Sequence, residues 1–146
     1  MTKLKFTRRP TPVLPEHRPM YKIGQILVML LYSRGGKSSL LRLHLLNWIL
    51  KSSERIQPLR RAVQAGALPL LTWGFDPALV IALRFAYAER LVIQTSTGYK
   101  LEKKGRDFIE AALNDADILS FERSVLSEIG LGLTEGMVEN VAKDWK

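Results

Sequence analysis

Between Asp76 and Leu113 the hydrophobic pattern changes period twice, and nothing else in the chain narrows the choice of fold so far. Asp76-Pro77 is a helix start: the carboxylate accepts from the first free N–H groups, and proline fits the first helical position, where its missing donor costs nothing. An apolar helix should then run to about Arg90. From there the spacing becomes that of strands. Leu91-Val92-Ile93-Gln94-Thr95 reads as a strand, Ser96-Thr97-Gly98 as a turn with glycine free to take positive φ, and Tyr99-Lys100-Leu101 as a second short strand. A helix follows at once from Lys103 to Leu113. Alternation along the strands places Leu91 and Ile93 on one face, with Tyr99 and Leu101 on the facing strand and Phe108 and Ile109 closing over them. Gly105 lets that helix come close to the hairpin.

Ahead of this unit, Ile23, Ile26, Leu27, Leu30 and Leu31 fall at helical spacing from Met20 to Tyr32, and the run stops at Ser33-Arg34-Gly35-Gly36. Ser38 or Ser39 caps a second helix to about Leu50, nearly encircled by apolar residues and therefore expected to be the most buried element. Ser52 or Ser53 precedes a third, Glu54 to Ala65, which tolerates Pro58 only in its first turn and ends at Gly66. The apolar, turn-rich stretch from Ala67 to Gly74 reads as a buried connector. Behind the hairpin unit, a helix from Asp115 or Asp117 to about Ile129 and a last one capped by Thr134 and ending near Trp145 are expected. The chain has 146 residues, 47% of them hydrophobic, which is enough for one core without disulfides or metal. Three parts follow: a basic, proline-bearing leader at 1–19, expected to be extended or disordered until bound; a domain at 20–113; and a helical extension at 114–146.

The sequence Phe85-Ala86-Tyr87-Ala88-Glu89-Arg90-Leu91-Val92-Ile93, then Thr97-Gly98-Tyr99-Lys100-Leu101, then Lys104-Gly105-Arg106-Asp107-Phe108, resembles the wing region of winged-helix proteins. The resemblance implies a mainly α fold with a small β-hairpin wing, a winged-helix-like single domain carrying extra helices at both ends. In DNA-reading members the helix before the wing offers polar side chains to base edges. Here that slot is Ala78-Leu79-Val80-Ile81-Ala82-Leu83-Arg84-Phe85-Ala86-Tyr87, and only Arg84 and the flanking Arg90 could make a charge-assisted base contact. An apolar face cannot replace the hydration of base donors and acceptors, whereas it suits another protein. Val80, Ala82 and Ala86 are the residues expected to meet a partner, either another protein or a second copy of the chain.

Charge is distributed unevenly. The formal net charge is +8, yet residues 1–66 hold thirteen Lys or Arg against Glu16 and Glu54, while the remainder holds nine against twelve acids. Such a field attracts polyanions. Arg8, Arg9, Arg34, Lys37, Arg60 and Arg61 are the expected nucleic-acid contacts, weak, salt-dependent and indifferent to sequence, since they lie outside the reading helix. No catalytic or metal-binding residue and no cofactor is expected. The chain has no cysteine; Gly35-Gly36-Lys37-Ser38 would need glycine where Leu31 stands to form a phosphate-binding loop; and His44 lies among leucines, where a core or edge histidine is the natural reading. Glu89, Glu102, Asp107 and Glu110 alternate with basic residues as a paired surface. The longest apolar run, Ile26 to Tyr32, is far short of a membrane span, and no apolar signal segment follows the basic leader, so a cytoplasmic protein is expected.

The whole layout is similar to the middle components of bacterial ABC-three-component and Lamassu-type defence systems: a basic leader, Tyr21-Lys22-Ile23 opening the first helix, Leu45-Leu46-Asn47-Trp48 in the second, the hairpin around Gly98-Tyr99-Lys100-Leu101, and a trailing helical pair. That resemblance implies an accessory subunit bridging an SMC-like ATPase and an effector, with a part in sensing foreign DNA. The other reading of the same pattern is a MarR/PadR-like transcriptional regulator that binds a palindromic operator as a dimer.

Overall fold

The computed structural model describes residues 19–68 and 73–143. Among these the chain is mainly helical, with seven α-helices and one small antiparallel sheet: α1 (Pro19–Leu31), β1 (Lys37–Ser39), α2 (Leu40–Leu50), α3 (Ile56–Ala65), α4 (Pro77–Ala88), β2 (Val92–Gln94), β3 (Gly98–Leu101), α5 (Lys103–Ala112), α6 (Ser120–Ile129) and α7 (Glu135–Ala142). None of these helices is long and apolar enough to cross a membrane.

Helix boundaries follow local chemistry. Asp76 accepts the Ala78 N–H with proline at the first helical position of α4, Thr134 accepts from Met137 at the start of α7, and Gly66 closes α3 in the left-handed region at φ 78°. Ser39, rather than Ser38, caps α2 by accepting from Arg42. Pro58 is the third residue of α3, where it breaks no internal hydrogen bond. The sixth helix begins at Ser120, later than Asp115 or Asp117, because the Asp115 carboxylate accepts the Asp117 N–H in a tight local turn and Leu119 adopts a left-handed φ of 51°.

α1 is the axis of the core. Ile26, Leu27, Val28, Met29 and Leu30 are fully buried, so the helix is enclosed on all sides, by α4, α5, α6, α2 and the sheet. It thus matches or exceeds the burial of α2, whose residues from Arg42 to Asn47 are all buried. A single hydrophobic cluster runs from α1 through Leu79 and Leu83 of α4 to Leu126 and Ile129 of α6 and Val138 of α7. The trailing helices therefore complete the same core rather than extend from it. In the connector, Trp73 is buried and its indole N–H donates to the Leu41 carbonyl, while Ala67 and Gly74 are exposed. Residues 69–72 lie outside the described residues.

The sheet has the order β1-β3-β2. Both hairpin strands are present as expected, but the facing residues differ. Val92 pairs with Leu101 and both are buried; Ile93 pairs with Lys100 and both are exposed. Leu91 precedes the strand and turns inward after Arg90, which has φ 63°, so Leu91 and Ile93 do not share a face. Phe108 is exposed, whereas Ile109 is buried in the core with Val92 and Leu101. The strand β1, where the sequence pattern shows only capping serines, pairs with β3 in the register Lys37 to Lys100, Ser38 to Tyr99 and Ser39 to Gly98. That pairing explains Gly98: its φ is not positive, but a Cβ there would lie 2.0 Å from the Ser38 carbonyl oxygen. Gly105 has the expected role, since a Cβ would lie 2.1 Å from the Leu91 carbonyl oxygen.

Candidate interaction surfaces

α4 carries both a core face and an outer face, and the two are offset from the sequence expectation. Ala82 and Ala86 are 1% and 0% exposed, aligned with Leu79 and Leu83 against α1. They cannot meet a partner while the fold is intact. Small side chains are placed where helices approach most closely, and these alanines mark the α1 contact. Val80 is half-buried. The residues that do face outward are Ile81, Phe85 and Tyr87, at 51%, 52% and 49% exposure. Ile81 and Phe85 stand four residues apart and so share one stripe. Phe85 continues into a groove of about 440 Å³ walled by Met20, Ile23, Leu91 and Phe108, with Glu89 and Lys104 at its polar edge.

The entrance to α4 is fixed by a polar cluster. The Asp76 carboxylate is 2.8 Å from Lys51 Nζ, accepts from the Asn47 amide at 3.0 Å, and caps Ala78. Burial alone would raise its pKa, but Lys51, Asn47 and the Ala78 N–H outweigh it and hold the carboxyl down at about 2. Lys22, buried on α1, donates to Asn47 and lies 4.0 Å from the same carboxylate. His44 is fully buried and accepts the Asp76 N–H at Nδ1, with Phe75 stacked on its ring at 4.2 Å. The proton of the neutral ring therefore sits on Nε2, a buried atom with no hydrogen-bond partner among the described residues. Desolvation holds the His44 pKa below its ordinary value, against the opposing pull of Asp76. This is the core histidine that the leucine-rich context implied.

Three further polar groups, Arg42 and Glu122 buried and Glu135 half-buried, belong to no motif of the sequence. Arg42, on the leucine-rich α2, donates to the Leu133 and Gly130 carbonyls and to Ser33 Oγ. Burial lowers its pKa, with Glu135 acting the other way. Glu122 of α6 accepts from Tyr21 and Gln25 of α1. Glu135 accepts the Ser39 N–H at 2.9 Å. Together these clamp α6 and α7 onto α1, α2 and β1. The available signal was a lone arginine inside a leucine-rich helix, since such a charge is either exposed or fully hydrogen-bonded.

The expected nucleic-acid contacts separate. Arg8 and Arg9 lie outside the described residues. Arg60 is engaged by Glu128 at 2.6 Å on one side and by Gln57 on the other, which leaves it little charge to offer. Arg61 is exposed on α3. Arg34 and Lys37 come together on the rim of a cleft of about 470 Å³ between β1, the hairpin tip at Thr95, Ser96 and Thr97, and the start of α7. Gly35 and Gly36 make the turn between them, both with positive φ, and a Cβ on Gly36 would stand 3.1 Å from Arg106 Nη2.

Among the described residues no three His, Asp or Glu side chains come together as a metal site requires. Comparison of the chain with family models, with curated proteins and with solved structures finds no match in any of the three.

Proposed function

We propose that the chain is a winged-helix accessory subunit of a protein assembly, acting through the outer face of α4 and without catalysis of its own. The supporting observation is the stripe of Ile81 and Phe85, continued by Met20 and Phe108, on the helix that a DNA reader would use for base contacts. Desolvating base edges against isoleucine and phenylalanine replaces no hydrogen bond, so such a face favours a protein surface. The strand added by Lys37–Ser39 supports the winged-helix reading, because it sets a helix, strand, three-helix, two-strand order with β3 in the centre of the sheet. The resemblance to middle components of three-component defence systems supplies the partners: an SMC-like ATPase and an effector, bridged by this chain in the cytoplasm.

The test is co-purification with the products of neighbouring genes, together with light scattering of the chain alone. Ile81→Glu and Phe85→Glu should abolish capture while leaving the melting temperature close to that of the unaltered chain. A well-folded double variant that still captures every partner would remove α4 from the interface. For the regulator reading, selection from random duplexes would return a palindromic consensus with half-sites about one helical turn apart. Under the assembly reading it returns none. The purified chain should also show no nucleotide hydrolysis that survives a final sizing step and is lost on substitution of a surface residue.

A further inference from the structure

We infer that the outward face of the β1–β3 pair is a binding surface for the phosphodiester backbone of nucleic acid, centred on Lys37 and Lys100. The register places these two lysines directly opposite each other on neighbouring strands, where facing side chains stand about 5 Å apart. Both are exposed. Like charges in this position repel, and a bound anion would relieve that repulsion. Among the described residues neither lysine is ion-paired, nor is Arg34 beside them. Arg106 adds a fourth cation, its guanidinium lying against Gly36 and only 4.0 Å from its nearest acid, Glu110.

The neighbouring cleft fits a phosphodiester rather than an isolated anion. Its walls carry the hydroxyls of Ser39, Thr95, Ser96, Thr97 and Thr134, the donor type that accompanies Lys and Arg at sugar–phosphate contacts. The acids in the cleft do not cancel the cations. Glu135 accepts the Ser39 N–H through one oxygen and offsets the buried Arg42, which leaves the exposed Glu139 as the remaining acid of the lining against Arg34 and Lys37. The surface uses none of the outward residues of α4, so it stands or falls apart from the assembly reading.

The experiment is titration of a short mixed-sequence DNA duplex by fluorescence anisotropy between about 50 and 200 mM salt. The unaltered chain should bind at low salt and lose affinity steeply with added salt. Lys37→Ala with Lys100→Ala should weaken binding at least tenfold at low salt and reduce the slope of log affinity against log salt by about 1.8, two phosphate contacts' worth. Because the double variant removes a repulsion at exposed positions, it should melt no lower than the parent. Lys143→Ala, an exposed lysine at the far end of α7, should change affinity less than twofold. A double variant that binds with the parent's affinity and slope overturns the inference, as does a parent chain that fails to bind the duplex at low salt. Phosphatidylserine vesicles form the second arm: capture by vesicles but not by duplex, lost in the double variant, would reassign the surface to lipid headgroups and overturn the nucleic-acid reading.

Discussion

Asp76 is where the sequence signal and the structure coincide most fully, and it does more than cap a helix. Its carboxyl, held at about 2, stays ionised through most of the acid range, and Lys51 and Asn47 tie it to α2. A depressed carboxyl pKa contributes stability that is complete above its unfolded value of 3.8 and is lost as pH falls through the folded value. For Asp76 that contribution is on the order of 2 kcal/mol. Urea denaturation of the parent and of Asp76→Asn should therefore differ by about that amount at neutral pH, and the two curves should converge as pH drops below 4. His44 acts in a higher window with the same sign. The unfolded chain takes up a proton near the ordinary value of 6.5 while the buried ring stays neutral, so stability declines as pH falls below 6.5. His44→Gln keeps an acceptor and removes the titration; the slope of stability against pH between neutral pH and the carboxylate range should flatten in that variant. Arg42 is the opposite case, a buried cation whose value lies in completeness. Arg42→Ala strips donors from Leu133, Gly130 and Ser33 and should cost about 3 kcal/mol or more, read as a fall in the urea midpoint.

At the level of elements, α4 separates what periodicity reveals from what it hides. Asp76-Pro77 fixed its start, and the switch to strand spacing at Leu91 fixed its end, because caps and turns are set by residues adjacent in sequence. Which side faced the core was hidden, since apolar residues surround the helix and alanine serves equally on either side. The two faces are distinguishable by substitution. Ala82→Glu and Ala86→Glu place a charge against α1 with no partner and should abolish cooperative unfolding, whereas Ile81→Glu and Phe85→Glu should shift the thermal midpoint only slightly. Circular dichroism melts of the four variants decide the matter, and equal destabilisation of both pairs would mean that the faces are misassigned. β1 shows the complementary limit. Lys37-Ser38-Ser39 has no alternation and no β-branched residue; it is a strand only because β3 lies beside it, and Gly98 permits that approach. Long-range pairing of this kind leaves no local trace except an isolated glycine, and a turn accounts for that glycine equally well.

On the scale of the whole molecule, the chain does not divide where its composition does. Residues 20–113 contain the hairpin and the helices before it, and the sequence reads naturally as one domain followed by an extension. Yet Val125, Leu126, Ile129, Leu133, Met137, Val138 and Val141 belong to the same buried cluster as Ile26 and Leu45. Removing them would open that side of α1 and α2 to water, at roughly 1.5–3 kcal/mol for each large apolar side chain uncovered. It would also strip Arg42 of the carbonyls of Gly130 and Leu133, and Tyr21 and Gln25 of Glu122. A domain of this size has only about 5–15 kcal/mol in hand, so the loss exceeds what the remainder can supply. A fragment comprising residues 1–113 should therefore fail to show a cooperative thermal transition and should bind a hydrophobic dye. Adding residues 114–146 as a separate peptide should restore the transition if the clamp formed by Arg42, Glu122 and Glu135 can assemble in trans. A fragment of 1–113 that melts cooperatively near the midpoint of the whole chain would show that α6 and α7 lie on a finished core instead of completing it.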